Sequence, residues 1–157
     1  MKALYLMLVM LISVSLLACS SNEKQVTEPN QPNESNIQNV DSMKLKISFG
    51  TNVFTATLYS NATATAFKGK LPVTMKMNEL NGNEKYSDLP NNLPTNASNP
   101  GTIQAGDLVL YRSNTLVLFY KTFSTSYSYT RVGRIDNPEG LAAALGSGSV
   151  RVTFGAE

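Results

Sequence analysis

From residue 44 onward the sequence predicts an all-β, mainly β fold: a closed antiparallel β-barrel with two short capping helices. Three observations carry this reading. Short runs of alternating polar and apolar residues recur at close spacing, and Gly/Asn-rich turn signals separate them. Only two stretches have helical character, one after the second strand and one before the last. Strands in that arrangement close on themselves, and the helices plug the ends.

Lys44-Leu-Lys-Ile-Ser-Phe49 and Val53-Phe-Thr-Ala-Thr-Leu58 both alternate, and Gly50-Thr-Asn52 between them has tight-turn chemistry. The pair is a hairpin. Asn61 is suited to cap a short helix through about Lys68, in which Ala64 and Phe67 share a face. Gly69 fits its exit. Pro72 to Asn78 alternates again and sets Val73, Met75 and Met77 on one face of a third strand. Asn81-Gly82-Asn83 then turns the chain into Glu84 to Leu89. Pro90 to Gly101 is a loop rich in Asn, Pro and Ser. A loop of that length is uncommon in a compact domain unless it covers a site or packs as a structured excursion.

Gly106-Asp107 introduces two apolar runs, Leu108 to Tyr111 and Leu116 to Tyr120, joined through Arg112-Ser-Asn-Thr115. Runs without alternation predict a buried hairpin. Tyr129 to Ile135 is a further strand. Pro138 is placed in the first turn of a helix through Leu145, Gly146 ends it, and Val150 to Phe154 is the last strand.

Several segments resemble the cyclophilin-like fold proteins of bacteria, small barrels related to cyclophilins. They are Leu71-Pro-Val-Thr-Met-Lys-Met-Asn78, Asn81-Gly-Asn-Glu-Lys-Tyr86, Gly106-Asp-Leu-Val-Leu-Tyr111, Leu116-Val-Leu-Phe-Tyr-Lys-Thr-Phe-Ser124 and Val132-Gly-Arg-Ile135. The resemblance covers residues 44–157 and raises the question of prolyl isomerisation. The barrier to X-Pro rotation is about 20 kcal/mol, and lowering it needs no nucleophile or metal. True cyclophilins use an arginine on a central strand beside an apolar pocket and a glutamine, in the motifs F-H-R-I and F-M-x-Q-G-G. Neither motif occurs here. Where the resemblance places that strand, Lys76 is the only cation, and an ammonium is a point charge without arginine's fork of donors. Arg131 and Arg134 are the cations on another strand with a route to that wall. The expectation is therefore a non-catalytic peptide or small-ligand binding module. A divergent peptidyl-prolyl cis-trans isomerase is the alternative, and a structural accessory protein the third class.

Residues 1–18 read as a signal peptide: Lys2 supplies a positive charge, and Ala3 to Ala18 is an uncharged stretch of sixteen residues. That is shorter than the roughly 20 residues a membrane-spanning helix needs. Leu16-Leu17-Ala18-Cys19 resembles the lipobox of bacterial lipoproteins, which implies acylation of Cys19 and cleavage before it. Two or three acyl chains anchor a protein stably where one does not. Residues 19–43 then form a tether. Ser20 to Ser42 carries four acids against one lysine and too few apolar residues to offset the entropy of ordering. The predicted location is the cell envelope, with membrane attachment through lipid. Ser20 in place of an aspartate points to the outer membrane in a Gram-negative host.

Composition excludes much chemistry. The chain has 157 residues, one cysteine, no histidine and no tryptophan. Without histidine there is no catalytic triad, Cys-His dyad or H-E-x-x-H zinc site, and one cysteine makes neither an internal disulfide nor a thiolate cage. No cofactor and no metal are expected. Residues 44–157 carry eleven Lys and Arg against seven Asp and Glu, scattered and without a basic run, so nucleic acid is not an expected partner.

Phe119 to Arg131 is the densest constellation, with two phenylalanines, three tyrosines, two basic residues and six hydroxyl residues in thirteen positions. Tyrosine and arginine combine stacking faces with directional donors. Candidate ligand-binding residues are Tyr111, Phe123, Tyr127, Tyr129 and Arg131, together with Met75 and Met77, whose thioethers suit either core gaps or adaptable surfaces. Phe119 and Leu118 read as core. Glu84 and Asp107 stand at strand starts, where acids serve turns. Asn61-Ala-Thr63 and Asn96-Ala-Ser98 match the glycosylation sequon and are read as turns.

Overall fold

A computed structural model describes residues 43–157. The expected signal peptide, the expected acylation site Cys19 and the expected tether up to Ser42 lie outside the described residues. The first hairpin pairs β1 (Lys44–Phe49) with β2 (Asn52–Leu58), and α1 (Ala62–Lys68) follows. Then come β3 (Val73–Leu80), β4 (Glu84–Asp88), β5 (Thr102–Ile103), β6 (Asp107–Tyr111) and β7 (Thr115–Phe119). The chain continues through β8 (Phe123–Ser124), β9 (Thr130–Ile135), α2 (Leu141–Leu145) and β10 (Val150–Ala156).

Eight of the strands close an antiparallel barrel in the order β1-β10-β3-β4-β7-β6-β9-β2. Strand alternation sorts side chains between inside and outside. Leu45 and Ile47 of β1, Leu116 and Leu118 of β7, and Val152 and Phe154 of β10 are fully buried in the interior. β2 and β9 approach so closely at Gly133 that a Cβ there would stand 2.8 Å from the Thr57 carbonyl oxygen.

The two helices lie at opposite ends, because each follows the C-terminal end of one of two antiparallel neighbours, β2 and β9. Asn61 caps α1 by accepting a hydrogen bond from the Ala64 amide at 2.8 Å, and its own amide donates to the Arg131 carbonyl at 2.9 Å. Phe67 of α1 meets Phe154 edge-on, with ring centroids 5.6 Å apart. At the other end, α2 starts at Leu141 and not at Pro138. Gly140 takes φ +75°, a left-handed conformation that interrupts the helix, so Pro138 sits in the preceding turn.

The loop after β4 is a structured excursion. β5 and β8 pair as a separate two-stranded sheet, and Ser98 bridges Tyr129 through two backbone hydrogen bonds of 3.0 Å. Side chains pin it elsewhere: the Thr63 hydroxyl donates to the Pro94 carbonyl at 2.7 Å, and Thr130 accepts from the Asn96 amide at 3.0 Å. It lies on the outer face of β6 and β7, where Val109, Val117, Phe119, Tyr129 and Ile103 form a second apolar cluster outside the barrel. This second layer explains why β6 and β7 are apolar on both faces.

Candidate ligand-binding cleft

The outer face of β4 and β7 floors a cleft of about 470 Å³, within the size range of small-ligand sites. Tyr86 stands opposite Val117 in the β4–β7 register and supplies the middle of the floor. One side is the β3–β4 turn, where Asn81 and Gly82 both take positive φ, 55° and 66°, so that the strands reverse tightly. Leu80, Asn81 and Asn83 line the cleft there. The other side is aromatic.

That wall is a continuous chain of rings. Phe123 packs on Phe119 at 5.4 Å between centroids, Phe119 on Tyr129 at 5.6 Å, Tyr129 on Tyr111 at 5.8 Å, and Tyr111 on Tyr127 at 6.3 Å. Edge and tilted contacts at these distances are favourable arrangements for aromatic quadrupoles. Phe119 is fully buried and anchors the series, whereas Tyr127 is 62% exposed. The wall is therefore preorganised at its base and open at its tip.

Among the described residues two carboxylates, Glu84 and Asp88, line the cleft, and no lysine or arginine does. Asp88 accepts a hydrogen bond from the Thr115 hydroxyl at 2.6 Å across the β4–β7 pair. Burial raises the pKa of Glu84, and the nearby charge of Glu79 raises it further. Burial also raises the pKa of Tyr129, with the Glu84 charge acting in the same direction.

Four sequence-predicted site residues converge here: Tyr111, Phe123, Tyr127 and Tyr129. Three do not. Met77 is fully buried and Met75 half-buried against the barrel core, because their side of β3 faces inward while Thr74, Lys76 and Asn78 face out. Arg131 is exposed on β9 with its guanidinium 5.8 Å from the Tyr59 ring. It lines a separate crevice of about 10 Å³, room for no more than a water molecule. Of the two acids at strand starts, Glu84 lines the cleft and Asp107 does not. Asp107 accepts from the Gln104 amide at 2.8 Å in the β5–β6 turn and lines that crevice, not the cleft.

The residues missed by sequence reasoning are Leu80, Tyr86, Asp88, Thr115 and Val117, with Glu84 and the asparagines of the turn assigned only to turn-making. One signal for them exists. Two outer positions of β7, Val117 and Phe119, are as apolar as the inner Leu116 and Leu118, which requires a covering layer and, at that layer's margin, an apolar floor.

An eight-stranded closed antiparallel barrel with two short helices is a barrel of the cyclophilin type. The profile of the cyclophilin-like family matches residues 47–155. The chain belongs to the cyclophilin-like family. Its fold is similar to the solution structure of the hypothetical protein AF2241 from Archaeoglobus fulgidus, with a TM-score of 0.52 and 19% identity over 74% of this chain and 95% of that one. No curated protein matches the chain significantly.

Proposed function

We propose that this protein is a lipid-anchored envelope lipoprotein whose barrel is a non-catalytic module that binds a peptide or small ligand in the outer cleft. One observation carries the binding reading. Among the described residues three large apolar side chains stay exposed, and two of them, Leu80 at 43% and Tyr127 at 62%, border the same cleft with β4 and β7 between them. Exposed apolar surface gathered around a concavity is the signature of a binding site.

The charge of the lining argues against isomerase chemistry. The cyclophilin route to weakening amide resonance uses an arginine fork aimed at the prolyl amide. The lining carries carboxylates, and Lys76 on outer β3 and Arg131 beside Tyr59 do not line it. Anchoring is supported by the lipobox-like Leu16 to Cys19.

The test pairs an NMR exchange assay of X-Pro isomerisation with a peptide titration, both on the full chain in mild detergent. The expected result is no acceleration over buffer at micromolar protein, with peptide-induced shifts at Tyr111, Tyr127 and Tyr86. Catalysis that disappears in Tyr111→Ala would overturn the non-catalytic reading. For the anchor, Cys19→Ser is expected to move the protein out of the membrane fraction, and unchanged fractionation would sink the lipoprotein reading.

A further inference from the structure

The cleft has unequal ends. At the Asp88 end the carboxylate already accepts from Thr115, and Arg112 of the same hairpin turn stacks 5.4 Å over the Tyr111 ring. Among the described residues the Glu84 end holds no such partner. Glu84 makes no hydrogen bond or ion pair to another described side chain, although it is half-buried. Its neighbour Lys85 points into the barrel, where its ammonium is engaged by Glu79 and by the Gly146 and Gly148 carbonyls at 2.8 and 2.7 Å. Glu79 adds charge of the same sign. A half-buried carboxylate with no counter-charge among the described side chains, opposite Phe119 in the β4–β7 register and two residues from Tyr86 along the same strand face, is complementary to a positive group.

We propose that the cleft takes an extended peptide segment bearing a lysine or arginine side chain, its cationic head paired with Glu84 and its backbone lying along β4 over Tyr86 and Val117. This rests on the ligand-binding reading and adds the chemical class of the ligand. Glu84 to Asp88 spans about 13 Å along the strand, the length of roughly four extended residues. A peptide also meets the polar turn, because Asn81 and Asn83 line the Glu84 end. The chain's own Ser20 to Ser42 segment, with four acids and one lysine, has the wrong charge to be the occupant.

The test uses three dye-labelled alanine pentapeptides with lysine, norleucine or glutamate at the centre, titrated by fluorescence anisotropy against the full chain in mild detergent. The lysine peptide is expected to bind at least about tenfold more tightly than norleucine at low salt, with glutamate weakest, and the gap is expected to shrink at high salt. Glu84→Gln is expected to bring lysine and norleucine together, while Tyr127→Ala weakens all the peptides that bind. Norleucine binding as well as lysine, or a lysine preference that survives in Glu84→Gln, would overturn the cationic-ligand proposal and leave the binding reading standing. Absence of binding by any of the three to the wild-type chain, folded by circular dichroism, would overturn both.

Discussion

Lys85 and Glu79 face each other across the β3–β4 pair inside the barrel, and the lysine ammonium has no solvent exposure. Its three protons meet Glu79, the Gly146 carbonyl and the Gly148 carbonyl, so a charge that would be costly to bury is fully partnered. The Tyr120 hydroxyl donates to the other oxygen of Glu79 at 2.6 Å. The network ties the exit of α2 to the β3–β4 hairpin, whose turn forms one side of the cleft.

Removing the ammonium is therefore expected to be expensive. Lys85→Ala leaves Glu79 without its cation and two glycine carbonyls without a donor, a loss of about 3 kcal/mol. Urea unfolding of the wild type and the variant, followed by circular dichroism, measures it. In a double-mutant cycle with Glu79→Gln the two losses are expected to be strongly non-additive. Additive losses would show that the pair is not coupled.

The network also sets an acid limit. Burial opposes ionisation of Glu79, and the hydrogen bonds from Lys85 and Tyr120 outweigh it, so its pKa lies below the ordinary carboxylate value. Asp136 behaves alike: burial is outweighed by hydrogen bonds from Lys44 and Thr57 at 2.8 and 2.6 Å. A lowered folded pKa contributes stability that is present above the unfolded value of about 4 and is lost as pH falls through the folded value. Thermal melts are thus expected to fall below about pH 4, less steeply in a Glu79→Gln, Asp136→Asn double variant.

Glu84 has the opposite sign. Its raised pKa means that the folded state resists its ionisation, so it lowers stability once pH rises above the unfolded value. Glu84→Gln is expected to melt at a higher temperature than wild type at pH 7, with the gain vanishing near pH 4. A variant of equal or lower Tm at neutral pH would contradict this assignment. A destabilising carboxylate in a cleft fits a group kept for binding rather than for folding.

The aromatic wall is expected to divide between fold and site. Phe119→Ala removes a fully buried ring shared with Phe123 and Tyr129 and is expected to cost about 3–5 kcal/mol. Tyr127→Ala removes an exposed ring and is expected to change stability by less than about 0.5 kcal/mol. Comparing both in urea and in the peptide titration separates the roles: a Tyr127→Ala variant that binds normally would remove this residue from the site.

Gly133→Ala probes the barrel seam. The added Cβ would stand 2.8 Å from backbone that cannot move independently, so a loss of about 1–3 kcal/mol is expected. An alanine variant as stable as wild type would mean that β2 and β9 separate at no cost.

What the sequence determined by itself was local. Turn chemistry, alternation of period two and one capped helix place β1, β2, α1 and β3 within a residue or two of where they are, because each is decided by neighbours along the chain. The family was legible for the same reason, since its segments are strands and turns. Tertiary structure decided the site. Alternation puts Met75 and Met77 on a common face without saying which way it points, and only barrel closure turns that face inward. Phe119 to Arg131 is one dense run in sequence, yet the β5–β8 excursion bends it so that Tyr127 and Tyr129 turn to the cleft while Arg131 stacks on Tyr59. Glu84, Tyr86 and Val117 reach Tyr111 only because β4, β7 and β6 are neighbours in the closed sheet, a long-range pairing that no local pattern encodes.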